Sequence, residues 1–169
     1  PLHQLRDPLP RPHRGALVTA PATVVIGIGK PMRSDDGVGP EVVERLRSDD
    51  PVAETLVLDG EPARLVEAWT GRHRAVVVDA VRTGEPAGTI HEIRVTGDET
   101  FPRWDRAAGT HGAGVAAAVA LGRALDRLPT ELVVLGVEPA DLSDGPGLSP
   151  PVAAVVDAVA DLVRERAAR

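Results

Sequence analysis

The chain has 169 residues, of which 43% are hydrophobic, enough for one domain with a buried core. Nineteen basic against 25 acidic residues give a net charge of -6, which argues against broad nucleic-acid binding. The chain has no cysteine, and this excludes disulfides, thiolate metal sites and a cysteine nucleophile.

Residues 1–20 are rich in proline, arginine and histidine and lack the apolar centre of a signal peptide. We expect them to form a flexible N-terminal arm, followed by a single domain over residues 21–169. No apolar run approaches the roughly 18 residues of a membrane helix. The sequence therefore predicts a cytoplasmic protein with no membrane partner.

Short apolar runs predict the strands. The first, "ATVVIGIG", is almost entirely apolar, as in a parallel strand buried on both faces. Only "GTIHEIRV" alternates in the manner of a half-exposed strand. The predicted strands cover residues 22–29, 55–59, 75–80, 88–95 and 131–138.

Between these runs, apolar residues recur at the spacing of one helix face. The last predicted helix begins with Ser149 as N-cap and Pro150 as its first residue, positions that both residue types favour. The predicted helices cover residues 37–49, 62–70, 112–127 and 149–167.

This order of elements predicts an α/β fold: a three-layer α/β/α sandwich around an about five-stranded, mostly parallel twisted sheet. The short link "VRTGEPAG" at 81–88 permits a hairpin between the third and fourth strands, so we expect one antiparallel strand. The loop at 96–110 is the longest irregular stretch, and long loops in compact domains are often functional.

The glycine turn "GIGKPMRSDDGVG" at 27–39 does not fit a phosphate site. Lys30 is not followed by serine or threonine as a P-loop requires, and Met32 stands where the dinucleotide pattern needs its last glycine. Asp35 and Asp36 would also repel a phosphate. The turn therefore raises the question of why it carries two acids.

Other hydrolase motifs are absent or incomplete. The run "HEIRV" at 91–95 resembles half of a zinc-protease signature, but Val95 replaces the second histidine. We interpret it as an edge strand with two polar surface residues. Neither the pepsin-type motif nor the Gly-x-Ser-x-Gly elbow occurs.

Three polar residues lie at or just beyond the ends of predicted strands or just before a predicted helix: Asp36, Asp79 and His111. Sites in open α/β sheets form outside the carboxyl ends of strands, so these residues can converge. Two carboxylates and an imidazole suit nickel, zinc or manganese. A helix N-terminus disfavours the imidazolium form of His111, and Gly112 and Gly114 leave room for another chain.

Each residue also has an ordinary structural interpretation. Either Asp35 or Ser34 can cap the following helix, which leaves Asp36 free for another role. Asp79 can start a turn, and His111 can cap a helix or fill a pocket. The residues alone leave both a metal site and these structural roles open.

Taken in order, these motifs resemble those of the maturation endopeptidases of nickel–iron hydrogenases. The resemblance covers residues 22–163 and depends on an ordered set rather than on one motif. The set comprises "GIGKPMRSDDGVG", Asp59–Gly60, Asp79–Ala80, His111, "LGVEPADL" at 135–142 and "GLSP" at 147–150.

The resemblance implies a phosphorylase/hydrolase-like fold and a peptidase, often classed as aspartic-type. Such enzymes remove the C-terminal extension of a hydrogenase large-subunit precursor after nickel insertion. Asp36, Asp79 and His111 take the family's metal-binding positions, and the metal is the nickel of the precursor. Asp36 is our first candidate for the catalytic base and Asp79 the second. No organic cofactor is expected, and we expect a monomer.

Two departures from the family pattern bear on the choice of substrate. Lys30, the sole lysine, stands where the family usually has asparagine, and Glu61 and Pro62 replace Gly-Thr after Asp59–Gly60. We therefore predict that Lys30, Asp59, Gly60 and Glu61 contact the substrate. These changes bear on which hydrogenase class is processed and remove no predicted metal ligand.

Two other functions use the same features. One is a nickel-dependent binding or maturation factor that holds the precursor without cutting it. The other is a small-molecule hydrolase on the same scaffold, since a fold does not determine a function. Shortening of the precursor separates the peptidase from the binding factor. A nearby gene for a hydrogenase large subunit that ends beyond its last metal-binding cysteine would favour the peptidase over the small-molecule hydrolase.

Overall fold

A computed structural model describes residues 22–48, 53–95 and 112–168. The predicted arm at 1–20, the loop at 96–110 and His111 lie outside these residues. The strands are β1 (Thr23–Ile28), β2 (Glu54–Leu58), β3 (Arg74–Ala80), β4 (Ile90–Val95) and β5 (Glu131–Val137). The helices are α1 (Val38–Arg47), α2 (Pro62–Trp69), α3 (Gly112–Ala124), α4 (Pro150–Ala153) and α5 (Val156–Ala167).

The five strands form one sheet in the order β2-β1-β3-β5-β4. The pairs β1–β2, β1–β3 and β3–β5 are parallel, and β4 runs antiparallel to β5. The predicted mostly parallel five-stranded sheet with one antiparallel strand is confirmed.

The predicted hairpin between β3 and β4 is wrong, because β5 lies between these two strands. The link after β3 crosses the carboxyl end of β5. The Val81 N–H donates to Val137 O at 3.0 Å, and the Gly88 N–H donates to Glu138 O at 2.8 Å. The link is thus hydrogen-bonded to the strand that separates β3 from β4.

Helices cover both faces of the sheet and give the predicted three layers. The α2–α3 face buries Leu65, Trp69 and Val119 against β1 and β3, and the α1–α5 face buries Val42 and Val159. β1 and β3 are buried over almost their whole length, as their continuous apolar sequences predict. Each fully buried valine contributes roughly 1.5–3 kcal/mol, so these central strands are held firmly in place.

The predicted C-terminal helix is divided in two. Ser149 is the N-cap and Pro150 the first residue, as predicted, but a turn separates α4 from α5. There the Val155 N–H donates to Val152 O at 3.2 Å, three residues back instead of four. The buried stripe continues through both helices, which is why the periodicity indicated one. No helix of the described residues is long and apolar enough to cross a membrane.

Candidate active site

The turn after β1 brings two adjacent carboxyl groups to the carboxyl end of the sheet. A single 3-10 turn over Ser34–Gly37 contains Asp35 and Asp36, which are 0% and 4% exposed. Gly29 has a φ of +136°, and a Cβ there would collide with the backbone oxygen of Asp36. Glycine at 29 is therefore needed for the turn to fold back on β1.

Asp36 is held by the backbone of the same turn. Its Oδ2 accepts a hydrogen bond from the Lys30 N–H at 3.0 Å. The contact with Asp36 therefore comes from the Lys30 backbone, and the residue as a whole is exposed. The predicted role of the Lys30 side chain in substrate binding stays a prediction.

Asp79 is the penultimate residue of β3 and is fully buried. Neither of its carboxylate oxygens has a hydrogen-bond partner within the described part of the chain. Burial, and after it the negative charge of Asp36, raises the pKa of Asp79 well above its ordinary value. The nearby Ala80 N–H lowers the pKa of Asp79, although it is not placed to donate a hydrogen bond to the carboxylate.

The structure thus brings Asp36 and Asp79 close enough for one charge to act on the other, as the strand-end argument predicted. An unpaired buried carboxylate is costly, and a proton or a cation relieves that cost. Within residues 22–48, 53–95 and 112–168, no group of three or more acidic or histidine residues could hold a metal. The third predicted ligand, His111, lies outside the described part of the chain.

The start of α3 lies against the turn that follows β2. A Cβ on Gly114 would collide with the backbone oxygen of Gly60. The space beside Gly114 is therefore filled by this protein's own backbone, and the expectation that Gly114 leaves room for another chain is wrong. Its glycine brings helix and turn into contact.

The predicted helix cap is also wrong. Neither the 3-10 turn nor α1 has a side-chain cap hydrogen bond, so neither Ser34 nor Asp35 serves as one. Asp35 accepts its hydrogen bonds from Ala140, Asp141 and Ser149 instead. These donors follow more than 100 residues later, so local sequence rules could not indicate them.

The segment after β2 forms a preorganised turn and cap. The Glu61 carboxylate accepts from the N–H groups of Ala63 at 3.1 Å and Arg64 at 2.9 Å, which caps α2. Asp59 accepts from the Glu61 N–H at 3.3 Å, and this hydrogen bond is the main cause of its lowered pKa. Gly60 has a φ of +82°. The predicted substrate contacts of Asp59, Gly60 and Glu61 stay predictions.

One buried acid at this edge was missed by the sequence analysis. Glu138, directly after β5, is 2% exposed, and its Oε1 accepts from the Thr83 N–H, the Thr83 hydroxyl and, at 3.4 Å, the Glu85 N–H. His91 Nε2 lies 3.4 Å from the same oxygen. Glu138 therefore holds the link between β3 and β4. Its only signal in the sequence is a charge at the end of an apolar strand.

Together, these features define an α/β/α protein with a buried carboxylate pair at the carboxyl edge of its sheet, suited to cation binding and hydrolysis. The family model described as HycI, hydrogenase maturation protease, matches residues 40–166. The chain belongs to the hydrogenase maturation protease family and is a peptidase.

Curated relatives agree with this membership. The hydrogenase expression/formation protein HupD of Bradyrhizobium diazoefficiens is 32% identical over 135 residues, which cover 76% of this chain and 69% of the relative. HupD of Thiocapsa roseopersicina is 31% identical, with 78% of this chain and 61% of the relative covered. The hydrogenase 2 maturation protease of Escherichia coli is 27% identical, with 79% and 83% covered.

Solved structures share the fold. The E. coli hydrogenase maturating endopeptidase HybD aligns with a TM-score of 0.67 at 23% identity, covering 83% of this chain and 88% of that one. The Thermococcus kodakarensis [NiFe] hydrogenase maturation protease HybD aligns with a TM-score of 0.69 at 22% identity, covering 86% and 98%. The predicted fold class is therefore confirmed.

Proposed function

We propose that this chain is the endopeptidase that removes the C-terminal extension of a nickel–iron hydrogenase large-subunit precursor after nickel insertion. Membership in the hydrogenase maturation protease family supports the reaction and the partner. The nickel is part of the substrate, and the proposed chemistry uses no organic cofactor.

The observation that carries this proposal is the state of Asp79. Its carboxylate is fully buried, has no hydrogen-bond partner among the described residues and lies close enough to Asp36 to be affected by its negative charge. When both are ionised, the carboxylates of Asp36 and Asp79 repel each other unless a proton or a cation lies between them. Carboxylate oxygens are suitable nickel ligands, and an imidazole from His111 would complete the set.

In the proposed mechanism, the metal serves recognition. Asp36, Asp79 and His111 bind the nickel of the precursor, and this fixes the scissile peptide beside the carboxylates. Such positioning can replace much of the entropic cost of bringing the reacting groups together. A precursor without nickel would bind without this anchor.

Hydrolysis then needs one proton acceptor. A water oxygen attacks the carbonyl carbon while a carboxylate takes one of the water protons. The carbon–nitrogen bond breaks, and that proton passes to the leaving amine. Asp36 is the first candidate for this base, since its Oδ2 is oriented by the Lys30 N–H. Asp79 is the second.

The test is to mix the purified protein with nickel-loaded and nickel-free precursor from its own genome and to weigh the products by mass spectrometry. We expect loss of a C-terminal peptide from the nickel-loaded precursor alone. Tight binding without loss of mass would favour the maturation factor that does not cleave. If the precursor is neither bound nor cleaved, the substrate belongs to another hydrogenase class, and the segment Asp59–Pro62 is the first place to look for the difference.

A further inference from the structure

Asp35 has an unusually complete set of hydrogen-bond donors. It is fully buried, and all of its side-chain donors belong to the loop at 139–149. Its Oδ2 accepts from the N–H groups of Ala140 at 2.8 Å and Asp141 at 2.9 Å and from the Ser149 hydroxyl at 2.8 Å. Its Oδ1 accepts from the Ser149 N–H at 2.7 Å. None of these four donors carries a charge.

Backbone contacts reinforce the same junction. The Ser34 N–H donates to Gly145 O at 2.9 Å, and the Gly145 N–H donates to Met32 O at 3.0 Å. The Asp35 N–H donates to Asp141 O at 3.1 Å. The glycine turn and the loop at 139–149 are therefore joined on both sides of Asp35.

Asp36 is the next residue in the chain, and its orientation depends on this junction. The Lys30 N–H fixes its carboxylate from the start of the turn, and Asp35 fixes its backbone from the end. A displacement of Asp35 would move Asp36 relative to Asp79, which lies on a separate, firmly packed strand.

We propose that Asp35 is a positioning residue for the cleavage reaction: it holds Asp36 in place by tying the glycine turn to the loop at 139–149. This inference rests on the proposed function. The two adjacent acids of the turn then have different tasks. Asp36 faces the reacting groups, and Asp35 never touches them.

The chemistry of the junction requires a carboxylate. An ionised aspartate only accepts hydrogen bonds, whereas the amide of asparagine both donates and accepts. In Asp35→Asn, the amide NH₂ must point at one of the four donors. Asp35→Asn therefore places one donor against another while leaving the volume of the side chain almost unchanged.

The test exploits the single lysine. Selective ¹⁵N-lysine labelling gives one backbone amide signal, that of Lys30, whose N–H reports directly on the Asp36 carboxylate. We expect Asp35→Asn to shift this signal and to lower kcat for the nickel-loaded precursor by roughly 10–100-fold, the usual effect of removing a partner that orients a ligand.

Val159→Ala is the matched control for stability. Val159 is fully buried in α5 and its side chain carries no hydrogen-bonding group, so its truncation leaves a cavity in the core and lowers the melting temperature without removing a hydrogen bond from the turn. Below both melting temperatures, we expect Val159→Ala to keep the wild-type Lys30 signal and the wild-type kcat. Ser149→Ala removes one donor only, and we expect a smaller effect in the direction of Asp35→Asn, about 3–10-fold.

Several results would overturn the inference. One is a folded Asp35→Asn protein with an unmoved Lys30 signal and a kcat close to wild type. Another is a loss of kcat in Val159→Ala as large as that in Asp35→Asn when the two variants have similar melting temperatures. If Asp35→Asn does not fold, Ser149→Ala decides by the same two readouts. If the wild type binds the nickel-loaded precursor without cleaving it, the proposed function fails, and the Lys30 signal still decides whether Asp35 holds Asp36.

Discussion

Two regions at the carboxyl edge of the sheet use buried acids in opposite ways. Asp35 and Glu138 are surrounded by donors, whereas Asp79 has none in residues 22–48, 53–95 and 112–168. All three are at most 2% exposed, so burial does not distinguish them. The number of hydrogen-bond donors distinguishes them. A carboxylate that accepts several hydrogen bonds holds backbone segments together, and a carboxylate that accepts none is available for a cation or a proton.

The largest expected effect tests this contrast directly. We expect Asp79→Asn to reduce processing of the nickel-loaded precursor by about 10³-fold or more, since it removes a reacting carboxylate. Glu138→Gln changes an equally buried acid at the same edge. It should keep the rate within about tenfold while lowering the free energy of unfolding by about 1–3 kcal/mol. Initial rates and urea unfolding measure both, and equal loss of rate in the two variants would contradict the contrast.

A second effect follows from the raised pKa of Asp79. Between the ordinary pKa and the raised one, the folded state holds a proton that the unfolded chain has released. The free energy of unfolding therefore falls as pH rises through this window, and the loss is complete above the raised pKa.

Asp79→Asn lacks this titration, so its stability relative to wild type should increase from pH 4 to pH 8. Each unit by which the pKa is raised corresponds to about 1.4 kcal/mol of this increase. Urea unfolding of both proteins at several pH values measures it. Parallel stability profiles would show that Asp79 titrates normally.

The smallest expected effect concerns Lys30. Because its backbone N–H, not its side chain, contacts Asp36, Lys30→Gln should leave kcat within about twofold of wild type. A side-chain contact with the precursor would appear as a KM increase of up to about fivefold. Steady-state kinetics separate the two, and a tenfold loss in kcat would place the ammonium group in the chemistry.

Much of the fold follows from local sequence. Continuous apolar runs such as β1 and β3 locate the central strands, and the rule that sites form at strand ends brings Asp36 and Asp79 together. The partner of β4 could not be predicted in this way. Nothing in the short link after β3 indicates that β5, which begins 36 residues after the end of β4, pairs with both strands and separates them.

The hydrogen bonds of Asp35 and Glu138 could not be predicted from the sequence for a related reason. The four donors of Asp35 lie 105 to 114 residues away in the chain, and three of them are backbone N–H groups that every sequence offers. Glu138 likewise reaches Thr83 across 55 residues. Local patterns indicate candidate side chains for a site, but they do not show which backbone segments will surround them.

The late position of β5 in the chain also sets the order in which the protein can be built. During synthesis β1 to β4 emerge first, yet β4 can join the sheet only after β5 is made, because β5 lies between β3 and β4 and pairs with both. The segment that fixes Asp35 follows later still. A nascent chain therefore carries its candidate catalytic acids long before it can hold them in position, and the ordered arrangement of Asp35 and Asp36 forms only when the later segments have folded.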